Sequence, residues 1–193
     1  MEILAKILGN PARVKIMRLF LRNGGKAFAK KEVVKKSRVN SAAALRELRL
    51  LAAAGFVRKL SAGWSFNPSF DYRTEFENLL INTDMLDRKE VENIFKKAGR
   101  IKLLIVSGVF IKNKDSRADL LIVGDRIKQK RVEEGVRKLE AEIGTELAYV
   151  VFDTQEFIYR LDMYDKLVRD ILDFPHEVIF AGKGLSTREL SRT

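Results

Sequence analysis

The sequence predicts an α+β chain of two parts: a helical N-terminal third closed by a small hairpin, and an α/β remainder. Three observations point there. Charge is partitioned, with 15 Lys/Arg against 3 Asp/Glu in residues 1–70 and 22 against 23 in residues 71–193. Apolar residues recur at helical spacing through 11–54 and then give way to two short β-prone runs. From Arg100 the pattern becomes near-continuous apolar runs alternating with amphipathic helices, the order of an α/β domain with a small mixed sheet. The net charge of +11 over 193 residues is therefore a property of one segment. A basic segment attracts polyanions, because each neutralised phosphate releases counterions.

The first helix starts at Asn10-Pro11, a capping side chain followed by proline in the first turn, where its missing N–H costs nothing. Val14, Met17 and Leu21 follow at spacings of three and four, flanked by Ile16 and Phe20, with Arg13, Lys15, Arg18 and Arg22 filling in between. Asn23-Gly24-Gly25 ends it. A short second helix fits Ala29–Lys36, with Val33 and Val34 inward and Lys30, Lys31, Lys35 and Lys36 outward. Ser37–Asn40 makes a tight connection. The third helix starts at Asn40 or Ser41 and runs to Ala54, its buried stripe formed by Ala44, Leu48 and Leu51. Gly55 supplies the left-handed residue that closes it. Val57–Leu60 and Trp64–Phe66, joined by Ser61-Ala62-Gly63, form a hairpin.

Three helices and a hairpin, with the third helix entered by a tight turn, resemble the winged helix-turn-helix domain. The run from Asn40 through Leu48 and Leu51 to Gly55-Phe56-Val57 is similar to the recognition helix and first wing strand of ArsR-like regulators. The resemblance covers roughly residues 3–68 and implies double-stranded DNA as the partner. A helix fits the major groove, and its N-terminal residues reach base edges. Ser41, Ala42 and Ala43 are small enough for close approach, and Arg46 can fork onto guanine or a phosphate, with Arg49 one turn on. Lys30, Lys31, Lys35, Lys36 and Arg38 fall where a supporting helix meets phosphates, and Arg58 and Lys59 charge the wing. Winged helices also serve as protein-interaction modules, so an antitoxin-like, protein-binding role stands as an alternative.

Asn67-Pro68 closes this domain. Residues 69–99 connect it to the next through two amphipathic helices, Phe70–Ile81 and Asp87–Ala98, suited to packing or to a homodimer interface. Residues 100–184 make the second domain, with strands at Ile101–Val106, Asp119–Val123, Leu147–Phe152 and Val178–Ala181. Helices are expected at Lys130–Ile143, from a Thr154 cap to about Leu161, and at Met163–Leu172, with residues 185–193 as a tail.

Leu104-Ile105-Val106-Ser107-Gly108-Val109-Phe110, followed after a spacer by Asp119-Leu120-Leu121, resembles the nucleotidyltransferase signature. In that family a glycine followed by glycine or serine cradles phosphate, and two acids flanking one apolar residue hold metal. Here Val109 stands in place of the small residue and Leu121 in place of the second acid. Asp125 lies six residues past Asp119, roughly 20 Å along a continuing strand. A lone carboxylate is a poor magnesium site. The resemblance therefore implies a catalytically inactive domain used for dimerisation or for sensing a small-molecule or nucleotide effector. An active nucleotidyltransferase carrying a DNA-binding module is the alternative. Ser107, Gly108 and Asp119 have two readings: a vestigial nucleotide site, or a turn glycine and an acid closing a strand. Gly182-Lys183-Gly184 lacks the spacing and the Gly-Lys-Ser/Thr run of a phosphate loop.

Composition narrows the chemistry further. The chain has no cysteine, so disulfides and thiolate metal sites are excluded, and a reducing cytoplasm fits. His176, the one histidine, follows Pro175 at an expected turn and rules out a multi-histidine site within one chain. No cofactor or metal is expected. Glu2 and Lys6 interrupt the apolar start, against a signal peptide, and no uncharged apolar run approaches the ~20 residues of a membrane span.

Overall fold

A computed structural model describes residues 2–81, 88–113, 116–182 and 185. Lys183 and Gly184 of the Gly-Lys-Gly stretch, Asp87 at the expected start of a connecting helix, and residues 186–193 of the tail lie outside them. The chain has the mixed helix and strand content its sequence predicts, in two compact units. The first comprises Met1–Met85 and Arg137–Glu146, the second Leu86–Val136 and Leu147–Thr193.

The first unit opens with α1 (Glu2–Ile7), a helix ahead of the expected ones, and α2 (Pro11–Arg22). The Asn10 side chain caps α2, accepting from the Ala12 N–H at 2.9 Å. β1 (Ala27–Phe28), α3 (Lys30–Ser37), α4 (Ser41–Ala53), β2 (Val57–Leu60), β3 (Gly63–Phe66) and α5 (Arg73–Leu80) follow. The strands form an antiparallel sheet in the order β1-β3-β2, so the expected hairpin carries a third, two-residue strand. Val14, Phe20, Val33, Ala44, Leu48 and Leu51 are buried in one core with Phe56 and Phe66.

α5 belongs to this core. Phe56 packs edge-on against Phe66, Phe70 and Phe76 at centroid distances of 5.3, 5.2 and 5.9 Å, and Leu80 is fully buried. Pro68 thus ends the hairpin but not the unit. Aromatic pairs of this geometry stabilise beyond what the area they bury contributes.

Arg18 is the most deeply buried of the α2 cations, the others being half-buried. It is buried, donating from Nε to the Leu80 carbonyl at 2.9 Å and from Nη1 to the Glu142 carbonyl at 3.1 Å. A buried guanidinium needs such acceptors, and burial lowers its pKa against the opposing charge of Glu142.

The second unit contains α6 (Arg88–Phe95), β4 (Arg100–Val106), a single 3₁₀ turn (Gly108–Phe110), β5 (Leu120–Asp125) and the first part of α7 (Gln129–Ile143). β6 (Tyr149–Phe152), α8 (Thr154–Asp162), α9 (Lys166–Asp173) and β7 (Glu177–Ala181) complete it. Its mixed sheet runs β6-β5-β4-β7, with β5 and β6 parallel and β4 antiparallel to both β5 and β7. Leu103, Ile105, Leu121 and Val123 pack with Phe157, Leu161, Val168 and Ile171 of α8 and α9. On the opposite face Leu104, Val106, Leu120 and Ile122 are buried as well, which is why these strands read as unbroken apolar runs.

The starts of α8 and α9 differ from expectation, and α5 starts at Arg73 rather than Phe70. α8 is capped by Asp153, which accepts from the Glu156 N–H at 2.7 Å, while the Thr154 hydroxyl donates to Asp125. α9 begins at Lys166 because Tyr164 takes φ +54 and Asp165 then accepts from the Leu167 and Val168 N–H groups. No helix among the described residues is long and apolar enough to cross a membrane.

Candidate nucleic-acid interface

The residues expected to meet nucleic acid lie together in the first unit, on α3, α4, β2 and the turn between the helices. α3 is opened by Glu32, whose carboxylate accepts from the Ala29 N–H at 2.8 Å. Val33 and Ser37 are buried, and this phase leaves Lys30, Lys31 and Lys35 exposed. Lys36 is half-buried and pairs with Glu146 at 2.7 Å. Arg38 takes φ +51, which stops α3 and turns the chain toward α4 with the Arg38 side chain exposed.

Asn40 caps α4, its side chain accepting from the Ala43 N–H at 2.7 Å. Ser41 and Ala42 are exposed at the first turn and Ala43 is half-buried. Burial of Ala44, Leu48 and Leu51 turns Ala42, Arg46, Arg49 and Ala53 outward as a stripe on a helix about 20 Å long. The Arg46 side chain is 68% exposed.

On β2, Arg58 faces Ser65 and Lys59 faces Trp64 across the hairpin. Strand alternation puts Val57 and Lys59 on one face and Arg58 on the other, so the hairpin presents one cation to each side.

Glu47 is the residue of this region that the sequence reading missed. It is 1% exposed, and its carboxylate accepts from Asn10 Nδ2 at 2.8 Å, Arg13 Nε at 2.8 Å and Arg46 Nε at 3.4 Å. The contacts tie α4 to the start of α2 and steady the Arg46 guanidinium. Burial opposes ionisation of Glu47, but the hydrogen bond and charge of Arg13, then those of Arg46, hold its carboxyl below the usual range. The signal was present: Glu47 lies three residues after Ala44 and one before Leu48, on the buried stripe.

In the second unit Ser107, Gly108 and Asp119 do come together, as a backbone clip. Asp119 Oδ1 accepts from the Val109 N–H and Oδ2 from the Ala148 N–H, both at 2.8 Å. The Asp119 N–H donates to the Ala148 carbonyl, and its carbonyl accepts from the Ser107 N–H at 2.9 Å. Gly108 takes φ +55, and a Cβ there would lie 2.1 Å from Asp119 Oδ1. The Ser107 hydroxyl is buried and donates to the Ala118 carbonyl.

Asp119 thus fastens the turn after β4 to the approach to β6, and both its oxygens are engaged by backbone. Leu121, where the nucleotidyltransferase signature has its second acid, is 1% exposed in the apolar core. Asp125 accepts from Thr154 and pairs with Lys102 at 3.0 Å. The Thr154 hydrogen bond first, then Lys102, lowers its pKa. Among the described residues no group of three or more His, Asp or Glu side chains could hold a metal ion. No protein-family model, curated protein or solved structure matches the chain.

Proposed function

We propose that this chain is a double-stranded DNA-binding transcription regulator whose first unit works as a winged helix. In this reading α4 enters the major groove, α3 lies against the backbone and the β2–β3 hairpin is the wing. The observation that carries the reading is the outward Ala42–Arg46–Arg49–Ala53 stripe of α4, in the unit that holds the cation excess. Small residues admit the helix to the groove, Arg46 supplies a forked donor for guanine, and the α3 lysines supply phosphate contacts. The second unit is read as a non-catalytic, nucleotidyltransferase-like domain for homodimerisation or ligand sensing. Its one retained acid, Asp119, is spent on backbone N–H groups, and phosphoryl transfer depends on metal positioning that one carboxylate does not supply.

Selection from a random duplex pool, followed by anisotropy titration on selected and scrambled duplexes at several salt concentrations, tests this. Binding should weaken steeply with salt. Arg46→Ala should cut the preference for the selected duplex about tenfold or more, since a bidentate base contact discriminates by ~1–3 kcal/mol. Lys35→Ala should weaken both duplexes alike and flatten the salt slope by about one. Equal losses for both variants on both duplexes would remove Arg46 from base readout. No duplex binding at low salt would sink the whole reading.

A further inference from the structure

The segment that ends the first unit, Arg137–Glu146, is fastened to α2 at several points. Arg18 donates to the Glu142 carbonyl at 3.1 Å, and Lys15 Nζ lies 2.7 Å from Glu142 Oε1. Asn23 Nδ2 donates to the Gly144 carbonyl at 2.9 Å. Gly144, at φ +89, sits so close that a Cβ would come within 2.5 Å of the Arg18 carbonyl carbon. This seating delivers Glu146 to the edge of α3.

There the Glu146 carboxylate meets Lys36 Nζ at 2.7 Å, with the charges of Lys26 and Lys35 also acting on it. The contact is not a packed core pair. The Glu146 side chain is 81% exposed, and a cavity of about 500 Å³ opens beside it, lined among others by Lys35, Lys36 and Arg38. An ammonium holds a carboxylate and a phosphate oxygen at the same 2.7–2.9 Å. A solvent-open anion paired with Lys36, beside Lys35 on a candidate polyanion-binding surface, competes with the polyanion for the same donor.

We propose that Glu146 is an affinity-setting residue of this surface, holding Lys36 as a stand-in for a DNA phosphate. The inference rests on the DNA-binding reading above. A duplex must displace Glu146 to engage Lys36, or bind with one phosphate contact fewer. Neutralising Glu146 therefore frees one contact, which steepens the slope of log K against log salt by about 0.9 and tightens binding about fivefold at low salt.

The experiment is a double-mutant cycle on the full chain with Lys36→Gln, Glu146→Gln and the pair. A short duplex is titrated by anisotropy, and retention on heparin, a polyanion without bases, is measured in parallel. Glu146→Gln is isosteric and Lys36→Gln shortens a side chain that reaches solvent, so the fold should stay intact, as far-UV circular dichroism checks. E146Q should bind about fivefold tighter with the steeper slope, and K36Q should cost less than twofold in the wild-type background. In the E146Q background K36Q should undo the gain. Equal cost of K36Q in both backgrounds would overturn the proposal, leaving Glu146 as one more surface charge. Should no variant bind duplex, the DNA reading fails. The heparin elution salt then decides the hold on Lys36 by the same criterion: non-additive upholds it, additive overturns it.

Discussion

Replacing Gly108 by alanine tests the clip around Asp119 most directly. The added Cβ would fall 2.1 Å from Asp119 Oδ1, whereas real Cβ contacts essentially never come under 3.0 Å. The carboxylate must retreat by about 1 Å, which breaks its 2.8 Å bond from the Val109 N–H. A hydrogen bond to a charged group contributes ~1.5–3 kcal/mol. Alanine at φ +55 adds about 1 kcal/mol, because the left-handed region crowds its Cβ. The sum is about 3 kcal/mol, a fall of roughly 6–12 °C in Tm for a chain of this size.

Thermal and urea unfolding followed by far-UV circular dichroism read this directly. The control is Asp119→Ala, which leaves the Val109 and Ala148 N–H groups without their acceptor and should cost a similar amount. In that background the clash is gone, so Gly108→Ala should cost only the ~1 kcal/mol of backbone strain. Additive losses in the two backgrounds, or a Gly108→Ala loss below about 1 kcal/mol, would refute the clip. Asp119 would then be available for a ligand.

Two further outcomes are expected. Glu47→Gln should lower stability by about 2–3 kcal/mol at neutral pH, since it takes the charge from a buried carboxylate that serves Asn10, Arg13 and Arg46. Because the folded pKa of Glu47 lies below its ordinary 4.5, that stabilisation is complete above pH 4.5 and is lost as pH falls through the folded value, so urea midpoints of wild type and variant should converge as pH is lowered from 4.5. Leu121→Asp, which puts an acid where the nucleotidyltransferase signature has its second one, should yield no nucleotidyl transfer with Mg²⁺ and labelled nucleoside triphosphate, and should unfold the second unit by circular dichroism, since the new carboxylate has no partner in that core.

Periodicity made the long elements legible. α2, α4 and α7 follow their apolar stripes, and β4 and β5 follow unbroken apolar runs buried on both faces. The elements that escaped are those without room for a period. β1 has two residues, and its pairing to β3 is set by a strand nearly 40 positions along the chain. α1 is a single short turn-and-a-half in which Leu4 and Ala5 pack on the core while Ile3 and Ile7 stay exposed, so apolar residues on both sides hide its period. The Tyr164 break before α9 is a backbone conformation that no residue type there announces. At Asp119 the residue types and their spacing were visible, but not that backbone N–H groups occupy both carboxylate oxygens.

The charge partition was legible in full, but its allocation was not, and the reason is phase and distance. Arg18 falls on the stripe of Val14, Met17 and Leu21, and Glu47 on the stripe of Ala44, Leu48 and Leu51. A charged residue in register with a buried stripe must bring its own partners, and both do. That much can be read from helical phase alone. Lys15 and Lys36 are different: they lie off the buried stripes, yet each is matched by a glutamate more than a hundred residues away, Glu142 and Glu146. The polyanion field of the first unit is therefore weaker than the composition of residues 1–70 implies. The segment that weakens it comes from the near-neutral part of the sequence. For a DNA-binding unit this matters more to rate and salt dependence than to fold, since net charge sets encounter and non-specific affinity. In the proposed reading base preference rests on the Arg46 stripe, whose position follows from local helical phase and from the Glu47 anchor.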